Sequence, residues 1–112
     1  MTAQQSEPLQ DEIQDRVVQQ LAALAQPSRL NVFRELIKVL ELSGSGRGLS
    51  AGEIATRMGV PPATLSFHLK ELSNAGLVSS SKQGRSVIYR AEVSSIRALI
   101  EFLLEDCCSD CC

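Results

Sequence analysis

Apolar residues recur at Ile13, Val17, Leu21 and Leu24. That spacing of i, i+4, i+8 and i+11 lines one face of a helix from about Gln10 to Leu24. Pro27 suits the first position of a second helix, where its missing N–H costs nothing. The second helix carries Leu30, Phe33, Leu36, Ile37 and Leu40 and stops at Ser43-Gly-Ser-Gly-Arg-Gly48. This glycine-rich stretch reads as a loop. It has neither a strand before it nor a Gly-Lys-Ser/Thr after it, so it is not a nucleotide-phosphate cradle. Residues 1–9 are polar and read as a disordered lead-in.

Ser50-Ala-Gly-Glu53 has the form of a capping box opening a short helix through Met58. Gly59 ends it, Pro61-Pro62 opens the next helix to about Asn74, and Ala75-Gly76 closes that one. Two helices joined by a tight glycine turn form a helix-turn-helix pattern. Leu77–Lys82 and Arg85–Glu92 follow as strand-like runs around Gln83-Gly84, the signature of a β-hairpin. A hairpin directly after a helix-turn-helix is a wing. A last helix from about Ser94, with Ile96, Leu99, Ile100, Leu103 and Leu104, precedes Cys107-Cys-Ser-Asp-Cys-Cys112. The expected fold is mainly α with a small β-hairpin: a dimeric winged helix-turn-helix of order ααααββα. Its domain spans residues 10–106, followed by a cysteine-rich tail at 107–112.

Charge at first argues against nucleic acid, because the 112-residue chain is −2 overall. Its distribution argues the other way. Residues 29–97 hold ten Lys and Arg against five Glu, a net +5, while the two ends carry one Arg against eight acids, a net −7. Phosphates respond to the local charge, so an acidic protein can present a basic DNA face. Hydrophobic content of 44% with 4% aromatic suits helices packed through aliphatic side chains. No apolar run approaches the roughly 18 residues of a membrane span, and Met1–Gln10 lacks a secretory signal pattern, so no membrane partner and a cytoplasmic location are expected. No nucleophile–base pairing or nucleotide loop supports an enzyme.

Within the second helix of the pair, Leu65, Leu69 and Leu72 share one face and should pack inward. Ala63, Thr64, Ser66, Phe67, Lys70 and Glu71 then point outward. Small and polar groups near a helix N-terminus can enter the major groove, so Pro62, Ala63, Thr64 and Ser66 are candidate DNA contacts. Thr64, Ser66 and the N-terminus itself can equally bind phosphate. Lys70 is a candidate phosphate contact, as are Lys82, Gln83 and Arg85 at the wing tip. Phe67 can touch a thymine methyl or pack on the wing or another helix. His68, at the edge of the apolar face, is either a structural histidine or a phosphate contact.

Leu21-Ala-Ala-Leu-Ala-Gln-Pro-Ser-Arg-Leu30 resembles the A-L-A-D-P-T-R-L opening of the ArsR/SmtB metalloregulatory repressors. Pro62–Val78 is similar to their recognition helix, S-x-x-S-x-H-L-x-x-L-x-x-A-G-L-V, and Gly84-Arg-Ser-Val-Ile-Tyr-Arg90 to their wing. The resemblance covers about residues 13–106. It implies a homodimer joined mainly by the first and last helices, bound to an inverted-repeat operator in double-stranded DNA and released by an inducer. Arsenic sensors of the family often carry Cys-x-Cys at the start of the first helix of the pair. Here Ser50 and Gly52 occupy those positions. The Asp/His zinc set of the last helix is also absent, since Val93–Asp106 contains no His.

All four cysteines, Cys107, Cys108, Cys111 and Cys112, fall in the last six residues. In a cytoplasmic protein such a cluster points to soft-metal or redox chemistry. Trivalent arsenic and antimony take two or three sulfurs in a pyramid. If the last helix continues, Cys107/Cys111 and Cys108/Cys112 are i, i+4 pairs able to converge. Relatives with paired cysteines at this place include sensors of methylated trivalent arsenicals. That resemblance favours Cys107 and Cys108 as primary ligands, with Cys111 and Cys112 as additional ones. The expected inducer is trivalent arsenic or antimony. Another soft ion (Cd, Pb, Zn or Cu(I)) or a thiol redox switch is the alternative, and metal storage without regulation is a further one.

Overall fold

The structure, a computed structural model, describes residues 8–43 and 48–105. The chain runs α1 (Pro8–Leu24), α2 (Pro27–Ser43), β1 (Leu49–Ser50), α3 (Ala51–Met58), α4 (Pro62–Asn74), β2 (Val78–Gln83), β3 (Ser86–Ala91) and α5 (Val93–Leu104). This is the winged helix-turn-helix expected from the sequence, with one addition and three shifted boundaries. Helix α1 starts at Pro8, inside the segment expected to be a disordered lead-in, and α5 starts at Val93. The hairpin turn is Gly84-Arg85, because Gln83 is still in register opposite Ser86. Gly84 has the left-handed backbone, φ 64°, that a tight hairpin needs.

The addition is β1. Leu49 pairs with Tyr89 and Ser50 with Ile88, making a three-stranded antiparallel sheet in the order β1-β3-β2. The wing root is thereby tied to the entrance of the helix-turn-helix. Gly48 is required there, because a Cβ at that position would collide with the Tyr89 carbonyl oxygen.

Local chemistry sets the helix ends. Ser50 Oγ accepts from the Glu53 N–H at 3.2 Å while Glu53 Oε1 accepts from the Ser50 N–H at 2.9 Å, a complete capping box. Gly59, in the left-handed region, stops α3 by donating to the Ala55 carbonyl. Helix α4 closes in a Schellman motif, with Leu77 N–H donating to Leu72 O and Gly76 N–H to Ser73 O, both at 3.0 Å. These two ends fix the angle at which α4 crosses α3 and the direction in which the wing leaves.

The core gathers around α2 and α4. Val32, Phe33, Leu36 and Val39 meet Ile54 from α3 and Leu65, Leu69 and Leu72 from α4, with Leu49, Leu77, Val78 and Ala91 closing the sheet side. The inward face expected for α4 is therefore the one observed. Fully burying one such leucine contributes roughly 1.5–3 kcal/mol. Helices α1 and α5 differ, because much of their apolar surface stays outside. Ile13, Val18 and Leu21 of α1 are exposed, as are Ile100, Leu103 and Leu104 of α5, while Val17 and Leu99 are buried. The single inward stripe expected on α1 is thus split, with Val17 in and Ile13 and Leu21 out.

Candidate nucleic-acid interface

With Leu65, Leu69 and Leu72 locked inward, the opposite side of α4 is set by helical geometry. Pro62, Ala63, Thr64, Ser66, Phe67 and Lys70 are all exposed. Pro61 precedes the helix and offers no side chain to cap it, so the Ala63 and Thr64 N–H groups lie at an uncapped positive helix end. Such an end is suited to a phosphate. At the wing tip Lys82, Gln83 and Arg85 are exposed around Gly84.

Some cations of the basic middle are engaged within the fold. Glu35 of α2 pairs with Lys38 at 3.6 Å and with Arg57 of α3 at 3.4 Å, a surface brace between the two helices. Lys70, Lys82 and Arg85 make no ion pair among the described residues and keep their charge for a ligand.

His68 departs from the other candidates. It is only 5% exposed, on the inner side of α4 beside the leucines. It therefore does not stand in the outward row with Thr64, Phe67 and Lys70, and a phosphate contact from it is corrected to a buried structural role. The expectation of a satisfied histidine is also only half met, because its Nδ1 has no hydrogen-bond partner among the described residues. Burial, and secondarily the nearby Arg29 charge, hold its pKa below the ordinary histidine value.

Phe67 is 54% exposed in the middle of the outward row. Its ring is nevertheless held from another helix. The Arg29 guanidinium carbon lies 5.6 Å from the ring centroid, and the His68 ring centroid lies at 6.1 Å with a 54° tilt. Arg29 entered the sequence reading as one charge among ten and as part of the Leu21–Leu30 motif, with no role at the DNA face assigned to it. It stands in the first turn of α2, where Gln26 Oε1 accepts from its backbone N–H at 2.8 Å. Its Nη1 donates to the Ala23 carbonyl at 3.3 Å, and its Nε is buried without a partner. A cation near a helix N-terminus opposes the helix dipole, and that placement is the signal that could have singled it out.

Cys107, Cys108, Cys111 and Cys112 lie outside the described residues. Among the described residues no group of three or more His, Cys, Asp or Glu is arranged to hold a metal ion. None of the described helices is long and apolar enough to cross a membrane.

The helix-turn-helix geometry agrees with comparison to known proteins. A family model described as a helix-turn-helix domain matches residues 24–80. An uncharacterized HTH-type transcriptional regulator, YdfF of Bacillus subtilis, is 38% identical over 72% of this chain, which spans only 33% of that protein's length. The HTH-type transcriptional repressor SmtB of Mycobacterium tuberculosis is 38% identical over 70% of this chain and 53% of its own. The solved ArsR-like transcriptional regulator from Rhodococcus sp. RHA1 superposes with a TM-score of 0.70 at 28% identity, covering 82% of this chain and 79% of that one. With the α3–α4 pair, the wing and the recognition-helix sequence all in place, the chain belongs to the ArsR/SmtB family of helix-turn-helix transcriptional regulators.

Proposed function

We propose that this protein is a homodimeric repressor that binds an inverted-repeat operator through α4 and the wing, and that trivalent arsenic or antimony taken up by the C-terminal cysteines releases it. The observation that carries the DNA-binding part is the outward row Thr64, Ser66, Phe67 and Lys70 beside an uncapped helix end, with unpaired Lys82 and Arg85 on the adjoining wing. In a two-fold dimer the two α4 helices address successive major grooves about one helical turn apart. The dimer reading is supported by the apolar side chains that α1 and α5 leave exposed, including Ile13, Leu21, Ile100 and Leu103.

The inducer reading rests on the tail chemistry. Each As–S bond replaces an As–OH group, and the thiol proton leaves with the hydroxide as water. The tail follows α5 in sequence, so ligand binding there would act within a few residues of Leu103 and Leu104 along the chain. It weakens DNA binding only to the extent that the ligand prefers the off-DNA arrangement. Cys107 and Cys108 are the primary ligands in this reading, with Cys111 and Cys112 in support.

Fluorescence anisotropy of labelled DNA from the gene's own upstream region tests both parts. Reduced protein should bind saturably and be released near protein stoichiometry by arsenite or methylarsenite. The Cys107→Ser/Cys108→Ser variant should bind with the same affinity and stay bound. Release of that variant by arsenite would move the inducer site elsewhere. Release by cadmium or by oxidant, and not by arsenicals, would select another soft ion or a thiol switch.

A further inference from the structure

The feature of the DNA face that hydrogen-bonding chemistry leaves unexplained is its one large apolar side chain. Phe67 has no donor or acceptor, yet it occupies the centre of the outward row with more than half its surface in water. It is also not loose. Arg29 reaches from the first turn of α2 to lay its guanidinium against the ring. Among the described residues Arg29 has no carboxylate partner, and its side chain donates to the Ala23 carbonyl. The arginine thus stands where the dipole of its own helix opposes it, and its strongest side-chain neighbour is the face of an aromatic ring. A cation placed this way contributes about 0.5–1 kcal/mol at an exposed site. That biases an otherwise free surface side chain toward one orientation by a factor of about two to five.

The major groove offers one apolar group, the C5-methyl of thymine. The other bases carry no methyl there, and a phenyl ring set against their N7, O6, N6 or N4 groups would desolvate those groups without replacing their hydrogen bonds. We infer that Phe67 reads a thymine methyl group in each operator half-site, and that Arg29 is the positioning residue that holds the ring for it. This rests on the reading of α4 as the helix that enters the major groove, and it assigns that helix a base preference.

The test replaces single thymines of the upstream operator by deoxyuridine, which removes the methyl and nothing else. Anisotropy first establishes binding of the unmodified duplex. Lack of binding there would overturn the DNA-binding reading and this inference with it. Given binding, one thymine per half-site should weaken the wild type about fourfold when changed to uracil, the effect of one methyl-sized group. Phe67→Ala, whose side chain lies outside the core, should bind the thymine and uracil duplexes equally. Arg29→Lys keeps the charge and loses the planar face, so its thymine-to-uracil ratio should fall below twofold. Equal wild-type affinity for every uracil duplex, or a Phe67→Ala variant that still discriminates, would overturn the role of Phe67. If Arg29→Lys lost affinity on all duplexes alike with the ratio intact, Arg29 would be a phosphate or structural residue and not a positioning one.

Discussion

His68 shows how one buried ring ties stability to pH. The folded state holds it uncharged, through burial first and the Arg29 cation second. Its pKa in the folded protein is therefore lowered, while the unfolded chain keeps the ordinary value near 6.5. As pH falls through that value the unfolded state takes up a proton that the folded state refuses, so stability is full above about 6.5 and declines below it. Thermal melts at pH 7.5 and 5.5 should show a fall in Tm for the wild type and a smaller one for His68→Leu. Equal falls in the two proteins would place the pH dependence in other groups. Contacts between helices mark the limit of sequence reading. Leu65, Leu69 and Leu72 were readable because helical spacing alone put them on one face. His68 shares the Leu65, Leu69 and Leu72 stripe at i, i+3, i+4, i+7, so its place on the inner face was legible. The reach of Arg29 to Phe67 depends instead on how α2 crosses α4, which periodicity along one helix does not encode.

Elements were easier to read than their edges. The capping box at Ser50 and Glu53, the glycine stops and the proline starts are local signals, and each formed where it was read. The hairpin turn moved by one residue because Gln83 completes the ladder opposite Ser86. Strand β1 was invisible, since two residues are too few to show any alternation and its partner lies some forty positions away. The wing has a prediction of its own. Lys82, near the end of β2, and Arg85, within the turn, make no ion pair among the described residues, so they are suited to phosphates. Phosphate contacts carry little sequence information and release counterions. Lys82→Ala and Arg85→Ala should each weaken binding by similar factors on all duplexes. In a symmetric dimer each substitution removes two contacts, so the slope of log K against log[salt] should fall by about two per position. A loss confined to one operator sequence would instead make these residues base readers.

At the scale of the molecule the notable fact is what a single chain fails to bury. Ile100 and Leu103 are 50% and 55% exposed on α5, and Ile13 and Leu21 of α1 are exposed as well. A second copy covering both helices accounts for the i, i+4 stripe of α1 better than the single-chain core does. Ile100→Glu/Leu103→Glu should sediment as a monomer with its helical circular dichroism retained. It should also lose more than tenfold in operator affinity, because each monomer then holds one half-site alone. A dimer that persists through both substitutions would move the interface off α5. The charge layout belongs to this scale too. Ten of the eleven basic residues lie between 29 and 97 and the acidic excess lies in the end segments, so the overall −2 masks a net +5 in the segment that holds α4 and the wing.

The order of the sheet has a separate consequence. β3 contributes Val87, Ile88 and Tyr89, and it is the central strand, with Ile88 and Tyr89 paired on both sides. The outer strands are poor templates. β1 is two residues long, and β2 runs Val-Ser-Ser-Ser-Lys-Gln, serine-rich and ending beside a lysine. Short edges and charged or polar edge strands are how sheets avoid recruiting further strands. A wing must project from its protein to meet DNA, and a projecting hairpin invites edge-to-edge aggregation. Here the two-residue strand at the wing root occupies the edge of β3 at Ile88 and Tyr89, so a further strand cannot pair with β3 there.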